Sequence, residues 1–139
     1  MVENIGGDSQ QEFASSAREW LEASVPRRWR DNRGALSEDE SNEIRREWDR
    51  QLFSGGYAGL SLPKEFGGQG LGVSEEVIFA ELAGRAQAPD GLARIGRILT
   101  APTLVAHGTQ QQLGKYLQKI LSGDEIWCQG FSEPDAGSD

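Results

Sequence analysis

Residues 127–139 read WCQGFSEPDAGSD, and how this stretch is understood decides how the rest of the chain is understood. Upstream of it every periodic segment has helical spacing. From Asp124 onward the period changes: EIWCQGF (125–131) is short, aromatic and bounded by turn-forming residues, which predicts a strand. A lone strand leaves its N–H and C=O groups unpaired, and no other segment reads as its partner. The expectation is a chain that continues into a β-rich part it does not contain.

Working back from that strand, five helices are predicted. Phe13, Ala17, Trp20 and Leu21 recur at helical spacing, with Glu12, Arg18, Glu19 and Glu22 on the other face, until Pro26 interrupts. SEDE (37–40) places Glu40 three residues after a Ser N-cap and opens a second helix with the stripe Ile44, Trp48 and Leu52, stopped by SGG (54–56). YAGLSLPKEFGGQGLG (57–72) cannot sustain a helix, because Pro63 removes a donor and glycines recur through it; it reads as an ordered loop. A third helix starts near Ser74 and turns Val77, Ile78, Leu82 and Ala86 inward. A fourth, about 91–105, is apolar along Leu92, Ile95, Leu99 and Leu104, with Pro102 expected to bend or divide it. Thr109 and Gln112 form a second capping pair, opening a helix with Leu113, Tyr116, Leu117 and Ile120 on its core face and Gly123 at its end. There is no internal repeat and no low-complexity tract.

The chain has 139 residues, enough for one small core, and a formal net charge of -8. That balance argues against a nucleic-acid partner, which clustered Lys and Arg would serve. The one basic run, RRWRDNR (27–33), is followed at once by SEDE and reads as a solvated connector. Cys128 is the single cysteine, so no intramolecular disulfide and no CxxC metal site is expected, and a reducing, cytoplasmic location fits. No long apolar run suggests a membrane span, and MVENIGGDSQQEF does not look like a signal peptide.

Few side chains invite chemistry. GGQGLG (67–72) fails the dinucleotide pattern, because the last position counted from Gly68 is Val73, and it lacks a P-loop Lys; a structural turn is the better reading. His107, the only histidine, is expected at a helix C-terminus among free carbonyls rather than as a general base. Cys128 has no adjacent Lys, Arg or His to activate it and is expected to be a small buried strand residue. Glu81 reads as a solvated or paired helix acid. FSEPDAGSD (131–139) has no bulky side chain near its tip, so backbone N–H groups and the Ser132 and Ser138 hydroxyls could approach a flat polar ligand. An ordinary strand-ending turn uses the same residue types, and residue chemistry alone leaves both readings open.

At this loop the sequence resembles the acyl-CoA dehydrogenase family. WCQGFSEPDAGSD is similar to the family's signature around the flavin, in which Ser or Thr precedes Glu-Pro and a small-residue turn ends in Gly-Ser-Asp; Asp135 stands where the family often has Gly. LPKEFGGQGLG (62–72) and HGTQQQLGKYLQKILSGDEIWCQ (107–129) agree in order and spacing, so the resemblance spans residues 10–139. It implies a mainly α chain: residues 1–123 as the family's N-terminal helical bundle domain, and 124–139 as the first strand and flavin-contacting loop of a middle β domain otherwise absent.

The resemblance further implies FAD-dependent oxidation of an acyl-CoA to the 2,3-enoyl-CoA, as in fatty-acid β-oxidation, with an electron-transfer flavoprotein as acceptor and a homo- or hetero-oligomeric protein. Gln129, Gly130, Phe131, Ser132, Gly137 and Ser138 are the implied cofactor-binding residues, and Ser138 would also approach the thioester arm of the substrate. No position here is implied as the catalytic base, so the chain alone is expected to be inactive. Related flavoproteins that oxidise nitroalkanes or act as monooxygenases share the scaffold. A non-catalytic helical partner or remnant that associates with an intact acyl-CoA dehydrogenase-like subunit is the alternative of another class.

Overall fold

The computed structural model describes residues 5–32 and 34–137. Six α-helices are found among them: α1 (Ile5–Ser24), α2 (Arg27–Asn32), α3 (Glu38–Ser54), α4 (Val73–Arg85), α5 (Ala101–His107) and α6 (Gln110–Ser122). A 3-10 turn lies at Lys64–Phe66 and a π turn at Gly96–Thr100.

The capping signals act where the sequence puts them. Ser37 Oγ accepts from the Glu40 N–H at 3.3 Å, and the Glu40 carboxylate accepts from the Ser37 N–H at 2.9 Å, so two orphan donors of α3 are satisfied. Thr109 and Gln112 repeat the arrangement on α6, whose C-cap Gly123 has φ 79.

The core gathers around α6. Leu113, Leu117, Ile120 and Leu121 are buried and pack against Trp48 and Leu52 of α3, Ala101 of α5, and Ala58 and Leu62 of the connecting loop. A second layer is aromatic: Trp20 of α1 lies 5.4 Å from Trp48 and 4.5 Å from Tyr57, and Tyr57 stacks on Phe79 of α4 at 4.6 Å. This cluster joins α1, α3 and α4 through one loop residue.

Residues 57–72 are ordered, as expected. Gln69, Gly70 and Leu71 donate backbone hydrogen bonds to Gly59, Leu62 and Leu60 at 3.2, 2.8 and 2.8 Å. GGQGLG is thus a clamp for the chain reversal, and Gly67 (φ 92) makes the left-handed turn within it.

Four expectations are corrected. RRWRDNR is not a solvated connector: Arg27–Asn32 form α2, started by hydrogen bonds to the Pro26 carbonyl, and Trp29 is buried while Arg28 pairs with Glu40; Arg33 lies outside the described residues. Val77 is 60% exposed, because α4 turns Phe79, Leu82, Ala83 and Ala86 to the core, the i, i+3, i+4, i+7 set selected by the aromatic cluster. Leu99 is 42% exposed, on the face of the π turn away from the core. Cys128 is exposed rather than buried. Residues 126–132 lie in no helix or ladder, as a strand without its partner would.

Pro102 disturbs its helix as expected, in a specific way. It has no N–H to donate to Ile98, and the turn before it widens so that the Ala101 N–H reaches the Gly96 carbonyl five residues back. Glu81 is paired with Arg85 on the exposed face of α4, and His107 is the exposed last residue of α5.

Candidate functional site

The segment after α6 leaves the core at Trp127, whose ring meets Tyr116 edge-on at 5.4 Å and whose side chain covers Gly96 of the π turn. A Cβ on Gly96 would lie 3.1 Å from Ile120 and 3.6 Å from Trp127, so the absence of a side chain lets the π turn, α6 and the exit segment pack together. Lys119 donates to Glu125 at 2.9 Å across the same exit, and that carboxylate raises the Lys119 ammonium above its ordinary range.

Beyond Trp127 the chain faces outward. Cys128, Gln129, Gly130 and Phe131 form one wall of an open groove of about 320 Å³, and Ile95, Leu99, Thr100, Thr103 and Leu104 form the other. Phe131 is 84% exposed. No backbone–backbone hydrogen bond among the described residues engages 126–132, so that stretch has donors and acceptors to offer. The chain then closes a tight turn: the Glu133 N–H donates to the Ala136 carbonyl at 2.8 Å and the Ala136 N–H returns the bond at 3.3 Å, with Pro134 and Asp135 at the tip.

Of the residues singled out from sequence, Gln129, Gly130 and Phe131 line this groove together; Ser132 is next in the chain and does not line it, and Gly137 lies past the Glu133–Ala136 turn. Ser138 lies outside the described residues. No group of three or more His, Cys, Asp or Glu residues among the described ones is placed to hold a metal ion.

Sequence reasoning missed a buried ion pair at the π turn. Asp49 of α3 is 2% exposed; it accepts from the Ala93 N–H at 3.0 Å and pairs with the Arg97 guanidinium in the π turn. Burial draws Arg97 below the ordinary arginine range, and Asp49 partly restores it. An Asp inside a helix rich in Glu and Arg carries no periodic signal of burial. The two glycines that make room for it, Gly91 and Gly123, are the only trace it leaves in the sequence.

Residues 7–124 match the family described as acyl-CoA dehydrogenase, N-terminal domain. The chain belongs to the acyl-CoA dehydrogenase family. It is 42% identical over 132 residues to the acyl-CoA dehydrogenase IpdE1 of Mycolicibacterium smegmatis, covering 93% of this chain and 34% of that protein. A solved structure described as "Tcur3481-Tcur3483 steroid ACAD G363A variant" superimposes with a TM-score of 0.75 at 32% identity, over 94% of this chain and 33% of that one. The ChsE4-ChsE5 complex from Mycobacterium tuberculosis does so with a TM-score of 0.72 at 30% identity, over 93% and 31%. The chain therefore spans about a third of the length of the relatives it matches. No helix among the described residues is long and apolar enough to cross a membrane.

Proposed function

We propose that this chain is the N-terminal part of an FAD-dependent acyl-CoA dehydrogenase that converts an acyl-CoA to its 2,3-enoyl-CoA. The observation that carries the proposal is the open groove between 128–131 and the helix segment Ile95–Leu104, in a chain of this family. Its residues fit a flat cofactor with a polar edge: Gly130 leaves the approach clear, and backbone groups of Gln129–Ser132 are uncommitted among the described residues. In this reading those groups and the Ser132 hydroxyl hold the isoalloxazine edge, and Phe131 covers part of the ring. Gly137 and Ser138 belong to the same cofactor-binding set, with Ser138 also toward the thioester arm. When bound, the flavin supplies the acceptor for hydride from the substrate β-carbon.

Ile95, Leu99 and Leu104 exclude water from the apolar side of the groove, and residues 124–139 begin the β domain of the whole protein. The base that removes the α-proton is assigned to no residue of this chain; Glu133 is held in its turn through its backbone, away from the groove lining. The acceptor that reoxidises the flavin is an electron-transfer flavoprotein, and the protein works in the cytoplasm.

One structural relative is described as a steroid ACAD, which supports a bulky, ring-bearing acyl group as the substrate class. Two of the relatives are two-component assemblies by their descriptions, which supports a hetero-oligomer. That same observation favours one second reading, a helical subunit that completes a partner's site without catalysing.

The test is the intact mass and visible spectrum of the protein purified from its native source, followed by turnover of ring-bearing and short-chain acyl-CoAs. A flavin spectrum on a species about three times this length, with enoyl-CoA formed, is the expected result. A colourless species that FAD does not reconstitute refutes the enzyme reading and leaves the partner one.

A further inference from the structure

The π turn that carries Leu99 and Thr100 of the groove is tied to α3 by a buried ion pair. We propose that Asp49 and Arg97 are positioning residues: they fix the register of the π turn Gly96–Thr100 so that Leu99 and Thr100 stand opposite Gln129–Phe131. The proposal rests on the reading of that groove as the flavin-facing site.

The argument begins with the π turn. A helix carrying one extra residue can in principle absorb it at more than one place, and moving it by one position rotates the intervening side chains by about 100° around the axis. Here the bulge is confined at both ends. Downstream, Pro102 has no N–H and cannot restore the bond to Ile98. Upstream, Asp49 accepts from the Ala93 N–H at 3.0 Å, three residues before the bulge, and from the guanidinium of Arg97 within it, which ties the entry and the first half of the bulge to one point on α3. Between the two, Leu99 and Thr100 are adjacent in sequence yet both line the groove. If the extra residue shifts, one of them leaves it.

Stability alone is a poor explanation for this pair. A buried ion pair is often no better than apolar residues of the same volume, whereas breaking one partner away is costly. The chain nevertheless makes room for it twice. A Cβ at Gly91 would sit 2.7 Å from Asp49 Cγ, and one at Gly123 would sit 2.9 Å from Asp49 Cβ. Asp49, on α3, thereby packs against Gly91 before the π turn through its carboxylate and against Gly123 at the end of α6 through its Cβ. Arg97 Nε is buried with no hydrogen-bond partner, so the guanidinium is held by Asp49 and by packing.

The experiment compares the full-length protein with D49N, R97Q and the double variant D49N/R97Q, by thermal unfolding, peptide-resolved hydrogen exchange, visible circular dichroism of bound flavin, and kcat and KM for an acyl-CoA. The double variant leaves no buried charge unpaired, and its midpoint is expected to recover most of what either single change loses. Exchange over 96–104 is nonetheless expected to rise about tenfold or more, with 110–122 unchanged. The flavin dichroism should change and kcat/KM should fall about tenfold or more, as misplacement of a site wall produces.

A folded double variant with parental exchange in 96–104, or with exchange raised uniformly along the chain, overturns the proposal. So does a double variant that does not fold, which makes the pair a determinant of the fold. If the exchange pattern is as expected but the parent protein holds no flavin and turns over no acyl-CoA, the pinning of the wall stands and the flavin reading falls. If the parent is active and the folded double variant matches it in exchange, kinetics and dichroism, the flavin reading stands and the pinning falls; if it differs in exchange alone, the pair does not position the flavin-facing wall and the proposal falls.

Discussion

Replacing Gly68 with alanine tests whether GGQGLG is a structural clamp. A Cβ placed there would lie 2.5 Å from the Leu62 carbonyl carbon and 2.8 Å from Leu62 Cβ, with the Leu62 carbonyl oxygen closer still. Carbon atoms in ordinary contact stand about 3.5–4.0 Å apart. The obstacle is mainly backbone, and that backbone is already engaged: the Leu62 carbonyl accepts from the Gly70 N–H at 2.8 Å, and the Gly68 N–H donates to the Pro63 carbonyl at 3.1 Å. Overpacking costs about 1–3 kcal/mol, and since no side-chain rotation relieves this overlap the loss is expected near about 3 kcal/mol.

Gly114 supplies the control within the same molecule. It is exposed in the interior of α6, and a Cβ added there would meet nothing within 4 Å, so alanine there removes the helix penalty of glycine and stabilises by about 0.8–1 kcal/mol. Urea titration followed by tryptophan fluorescence should separate the two variants by roughly 4 kcal/mol, which at a slope of about 1–3 kcal/mol/M displaces their midpoints by more than about 1 M. A Gly68→Ala protein that unfolds within about 0.5 kcal/mol of the parent would show that the loop has slack, and the clamp argument would be wrong.

Three further outcomes are expected. Hydrogen bonds from Ser37, with Arg28 adding to them, hold the Glu40 carboxyl below its ordinary value of 4.5; its stabilisation is present above that value and lost as pH falls through the folded one, so the stability gap between the parent and Glu40→Gln should close on acidification. Leu117→Ala, at a fully buried position, should cost about 2–5 kcal/mol in the same urea assay. Phe131→Ala should leave stability within about 0.5 kcal/mol because the ring is exposed, yet weaken flavin retention about tenfold in an equilibrium dialysis assay; unchanged retention would remove Phe131 from the cofactor set.

What could be read from sequence follows the range over which each cause acts. Ser37, Thr109 and Gly123 were legible because a cap is settled by residues three or four positions apart, and the structure forms each of them there. The burial of Trp29 and the rotation of α4 toward Phe79 were not, since both depend on partners far away in sequence: Phe79 is turned inward by Tyr57 and Trp20, which no period in 73–85 can announce. Asp49 is the sharper case. Its burial is favourable only because Ala93 and Arg97 arrive from another segment, and to a local reading it is one more acid on a charged helix.

Residues 126–132 illustrate a different limit. Alternating and aromatic side chains describe a segment able to pair, but a strand is a relation between two segments, and the second is not among the described residues. The flanking geometry is fixed all the same: Trp127 is seated on Tyr116 and Gly96 at the start of that stretch, and the Glu133–Ala136 turn closes after it. That stretch, anchored at its start and folded back at its end, makes no backbone–backbone hydrogen bond among the described residues. The missing ladder is therefore what a lone strand leaves, and the same unpaired backbone at 129–132 is what supports the proposed flavin contact.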